Sequence, residues 1–129
     1  LQMCRVNMQG YLMEIDYGMH VRQRLEVRFD GIDCSYLDYR IEVLFGDPEV
    51  ADYLLNEVRI GEDVVLVDED SGITFAIAVY TDSIYIKTVY NAYDQGALRV
   101  GEKQQILRYA EKMGFRTERF EKKRRSAHV

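Results

Sequence analysis

Tryptophan is absent, proline occurs once, and cysteine and histidine appear only twice each, as Cys4, Cys34, His20 and His128. Two cysteines make no disulfide framework and show no metal-ligand spacing, and two distant histidines add little to a zinc site. No metal or other cofactor is therefore expected, and a reduced, cytoplasmic setting is. No apolar run approaches the ~18 residues needed to span a bilayer. The N-terminus also lacks the apolar centre of a signal peptide, so no membrane partner is expected. Phosphate-cradling glycine loops, nucleophile elbows and the His-Glu-x-x-His pattern are all missing.

What remains is a chain of 129 residues, 47% hydrophobic, long enough to bury one modest core. Its formal charge is −5, unevenly spread. From Lys112 onward there are seven basic and two acidic residues, net +5, which leaves ten basic and twenty acidic side chains in residues 1–111, net −10. An acidic body repels nucleic acid at long range, so any RNA chemistry must rest on a local cationic site and the tail. The expected organisation is one domain over residues 1–111, followed by a basic, mobile tail over 112–129. The run Lys122-Lys123-Arg124-Arg125 reads as a solubilising segment, or as one that associates with RNA or a membrane.

Alternation of polarity over Tyr11–Tyr17 predicts a first strand, ended by Gly18. Residues 1–10 are given little weight. A helix from His20 to about Phe29 is predicted next, stopped by Asp30-Gly31. Ser35 reads as the N-cap of a second helix with Leu37, Ile41, Leu44 and Phe45 at core spacing. Gly46 ends that helix, and Asp47-Pro48-Glu49 restarts a short one to about Leu55. Three strands follow, at about Val64–Val67 (starting as early as Val58), Ile73–Tyr80 and Ser83–Tyr90, as an antiparallel meander. The middle run is apolar on both faces and should be flanked on either side. A final helix is expected over Glu102 to about Met113. The sum is an α+β domain: strand, two or three helices, meander, C-terminal helix.

The chemistry concentrates between residues 19 and 32. His20, Arg24 and Arg28 stand four apart and stack into one ridge on a helix, beside the apolar stripe Val21, Leu25 and Phe29. A titratable imidazole beside two permanent cations suits an anion, phosphate above all. The bland alternative is a solvated cationic face. The ridge, Gly31-Ile32 and the last strand Ile86-Lys87-Thr88-Val89-Tyr90 together resemble an uncharacterised family of small bacterial domains grouped with the RelE and BrnT toxins.

The resemblance covers about residues 11–91. It implies a RelE-like fold and a metal-independent endoribonuclease of a toxin–antitoxin or mobile-element system, with RNA or the ribosome as target and a cognate antitoxin as partner. It carries over His20, Arg24, Arg28 and Tyr90 as catalytic residues, and Thr88 as a substrate contact. Lys87 and Arg59 join Thr88 as candidate phosphate ligands. Val21 in place of a small residue, the inserted Phe29-Asp30 and the long 35–55 segment depart from the family pattern. Tyr90 would act as an acid or a stacking platform, against the alternative of ordinary sheet packing. Arg59 is otherwise a surface charge at a strand entry. Lys87 is expected opposite Thr88 and Tyr90, with Ile84 and Ile86 suggesting that the Thr88 face packs on the core. The turn Asp68-Glu69-Asp70-Ser71-Gly72 lacks a calcium-ligand ladder and reads as solvated. A non-catalytic accessory or interaction protein with the same fold is the second functional reading.

Overall fold

The computed structural model describes residues 2–91 and Gln104. Two strands come first, β1 (Gln2–Met8) and β2 (Tyr11–Tyr17), paired antiparallel from Gln2↔Tyr17 to Met8↔Tyr11. The two residues between them, Gln9 at φ 53° and Gly10 at φ 90°, make the left-handed pair that a tight hairpin requires. Residues 1–10, given little weight from sequence, thus supply a strand of the sheet. Val6 and Met8 are core residues.

Three helices follow: α1 (Met19–Arg28), α2 (Cys34–Gly46) and α3 (Pro48–Asn56). Of the expected apolar stripes Val21, Leu25, Leu37, Ile41, Leu44 and Phe45 are buried, while Phe29, the C-cap of α1, is half-buried against the core. The cap of α2 is Asp33 rather than Ser35, its carboxylate accepting from the Tyr36 amide at 2.9 Å. Asp47 caps α3 as expected, accepting from the amides of Glu49 and Val50.

Strands β3 (Asp63–Val67), β4 (Ile73–Val79) and β5 (Ser83–Asn91) complete a mixed sheet in the order β1-β2-β5-β4-β3. As expected, β4 lies between β3 and β5, each antiparallel to it. Two features differ from the expectation. The described sheet has five strands, and its middle strand is β5, which pairs parallel with β2 over Glu14↔Ser83 to Tyr17↔Ile86. The β3 strand begins at Asp63, well after Val58.

The architecture is thus α+β, with α2 laid across one sheet face. The Tyr17 hydroxyl reaches Asp38 of α2 at 2.6 Å, and the Phe45 and Phe75 rings meet edge-on at 6.0 Å. Among the described residues no helix is long and apolar enough to cross a membrane. The expected final helix and basic tail lie outside the described residues, Gln104 apart.

Candidate functional site

The site turns on an irregularity in β5. Val79, Ala78 and Ile77 pair with Ile84, Tyr85 and Ile86, but Ala76 pairs with Thr88, so Lys87 is the extra residue of a β-bulge. A bulge reverses the facing of every later side chain. Ile84 and Ile86 are fully buried, and beyond the bulge Val89 takes the buried position. Thr88 and Tyr90 therefore leave the Ile84–Ile86 face and join Tyr85 on the other one. Tyr90, half-buried, still packs against the core, but the expected place of Thr88 and Tyr90 on the Ile84–Ile86 face is overturned. So is their expected opposition to Lys87, which reaches across β4 to Asp63 at 2.9 Å, in the same cross-strand row as Ala78 and Tyr85.

Helix α1 packs along β5 in the same direction. At its start a Cβ on Gly18 would lie 3.7 Å from the Tyr85 hydroxyl. At its end the Arg28 guanidinium stacks over the Tyr90 ring, 4.5 Å from the centroid. Arg28 Nη1 donates to the Val89 carbonyl at 2.8 Å, and Asn91 Nδ2 donates to the Arg28 carbonyl at 3.1 Å. Ten helical residues rise ~15 Å, close to the ~17 Å spanned by five strand residues. Arg24 therefore falls level with the Lys87–Thr88 bulge and His20 level with Tyr85.

The predicted residues divide accordingly. Arg28 and Tyr90 are in direct contact. His20 is exposed and Arg24 half-buried, and neither makes an ion pair or hydrogen bond among the described residues. Thr88 Oγ1 is buried without a hydrogen-bond partner, as are Asp16 Oδ1 and Thr74 Oγ1 on the same sheet face. Lys87 is engaged by Asp63. Arg59 lies apart at the entry to β3, its backbone amide donating to Glu62 at 2.8 Å and its side chain exposed.

Two polar clusters escaped the sequence reading. Arg40 is buried and forks onto Asp68 at 2.7 and 2.8 Å, with Asp70 at 3.2 Å; Ser71 also donates to Asp68. This corrects the reading of that acidic turn as solvated at Asp68, which is only 4% exposed, while Asp70 is exposed as expected. In the second cluster, Cys4 Sγ and the Tyr17 hydroxyl both donate to Asp38 Oδ1, at 3.3 and 2.6 Å. Burial, then the bond to Asp38 and its charge, push the Cys4 thiol up to about 12 and the Tyr17 phenol well above its usual range. Neither cluster has a short-range sequence signature, since each joins residues far apart in the chain. Among the described residues no group of three or more His, Cys, Asp or Glu side chains is disposed to hold a metal ion.

Comparison with protein-family models, curated proteins and solved structures finds no match.

Proposed function

We propose that the α1–β5 surface binds single-stranded RNA and cleaves it as a toxin-like, metal-independent endoribonuclease with a RelE-like fold. The observation that carries this reading is the stacking of Arg28 on Tyr90. It joins the last cation of the His20-Arg24-Arg28 ridge to the strand that the resemblance pairs with it. One nitrogen of Arg28 is anchored on the Val89 carbonyl, which fixes the guanidinium while leaving most of its five N–H donors for a phosphate.

His20 takes the proton of a ribose 2′-hydroxyl as its oxygen bonds to the adjacent phosphorus. Arg24 and Arg28 meet the charge that builds on the phosphoryl oxygens. The bond from phosphorus to the 5′-oxygen breaks, and that oxygen leaves with a proton donated by water.

Labelled single-stranded RNA incubated with purified protein in EDTA tests this. Cleavage is expected, slower by ~10²–10⁴-fold in His20→Ala, the usual worth of a positioned acid or base. It should also weaken steeply with salt.

The second reading is a non-catalytic interaction protein. It is favoured by the structural employment of Arg28 and Lys87, which would preserve this surface without any reaction. Absence of cleavage, with ribosomes present as well, selects it.

A further inference from the structure

Among the described residues, no element covers the outer face of α2. Tyr36, Tyr39 and Val43 stand three and four residues apart along it and are 40%, 56% and 42% exposed. The two rings lie 6.4 Å apart, and the Arg40 guanidinium sits 5.6 Å from the centre of Tyr39. The stripe opens into a cleft between the α2–α3 junction and the β3–β4 turn. Val43, Leu44, Val50 and Val67 supply its apolar lining. A contiguous apolar strip of this kind on a charged protein marks an interaction site more often than solitary exposed residues do.

Charge decides what fits. Asp47, Glu49, Glu69 and Asp70 ring the cleft, and Glu42 is exposed beside the stripe. Among the described residues of the lining Arg40 is the one cation, forked onto Asp68 and reaching Asp70 at 3.2 Å. With Asp47 and Glu49 added, carboxylates still outnumber that cation around an aromatic and aliphatic floor. Lysine and arginine side chains match that combination, because their stems pack on apolar surface while their heads stay at a polar edge. An arginine can also stack on a tyrosine face, as Arg40 already does.

We propose that this α2 face and cleft dock a basic amphipathic helix of a partner protein. Its apolar residues lie along Tyr36, Tyr39 and Val43, and its lysines or arginines meet Glu49, Asp70 and Glu42. The surface is separate from the α1–β5 ridge, so the inference stands whether or not the chain cleaves RNA.

The probe is a synthetic amphipathic helix with leucine on one face and lysine on the other, titrated into the full chain and followed by amide chemical shifts. Its twin carries glutamate for every lysine. The expected result is saturable binding of the lysine peptide alone, with shifts concentrated on residues 36–50 and 67–70. Tyr39→Ala and Glu49→Lys should each weaken it roughly tenfold, as loss of a central aromatic anchor or reversal of a facing charge does. Asp30→Lys makes the same charge change away from the cleft and should alter affinity little.

Equal weakening by Asp30→Lys, or shifts scattered over the acidic body, would show attraction to net charge and overturn the proposal. No binding would overturn it too. Concentration-dependent self-association that Tyr39→Ala abolishes would overturn it in favour of a second copy of the chain. Thermal melts of each variant, expected close to the parent, separate lost docking from lost folding.

Discussion

Two single-residue contributions to stability are measurable in this protein. The Arg40–Asp68 fork is buried at both ends, so removing one partner strands a charge. Arg40→Ala should lower unfolding free energy by ~3–5 kcal/mol in urea titrations, the usual cost of orphaning a buried ion. The Cys4 thiol ionises near 9 when unfolded and at about 12 when folded. The stability this contributes is complete below pH 9 and is lost as pH climbs towards 12, because the unfolded chain releases a proton that the folded chain keeps. Tyr17 adds to it in the same direction. Urea midpoints should therefore fall across that alkaline window, and Cys4→Ala should shrink the fall. His20, Arg24 and Arg28 were legible as a set because helical spacing is a local property. Arg40 was not, because its partner is 28 residues away and nothing in α2 distinguishes it from a surface arginine.

Elements were legible where their signals were short-range. The Asp47-Pro48 restart, the apolar stripes of α1 and α2, and the turns of the meander all predicted what formed. The β1 strand was overlooked although Val6 and Met8 alternate with polar residues and Gln9-Gly10 follows them; its pairing with β2 depends on a neighbour, and the stretch was discounted for its position. The bulge in β5 was invisible for a different reason. A period of two runs unbroken through Ile84, Ile86 and Thr88, and only pairing with β4 shows that Lys87 is extra. The bulge at that single residue puts Thr88 and Tyr90 on the α1 face rather than on that of Ile84 and Ile86. Deleting Lys87 should leave a regular strand in which Thr88 and Tyr90 keep facing α1 and Val89 keeps its buried place. The expected outcome is cooperative unfolding close to the parent, read by circular dichroism, with only the pair to Asp63 lost. A variant that loses cooperative unfolding or melts far below the parent would show that Lys87 is not the extra residue.

At the scale of the whole molecule, an acidic body carries one cationic ridge beside the middle strand of its sheet. Charge of this sign gives RNA no general attraction, so any RNA binding is expected to be local and strongly dependent on salt. The fold class was readable from the sequence, whereas the strand order was not, because the parallel β2–β5 pairing joins segments separated by α1, α2 and α3 and by two strands. The central claim is that the ridge directs attack of a 2′-hydroxyl on phosphate, and that chemistry leaves a signature in its products. The decisive measurement is the identity of the new RNA ends after incubation with the purified chain in EDTA. The account predicts 2′,3′-cyclic phosphate and 5′-hydroxyl ends from the parent, and their near-disappearance with His20→Ala. Ends bearing 5′-phosphate and 3′-hydroxyl, or product formation unchanged by His20→Ala, would contradict it.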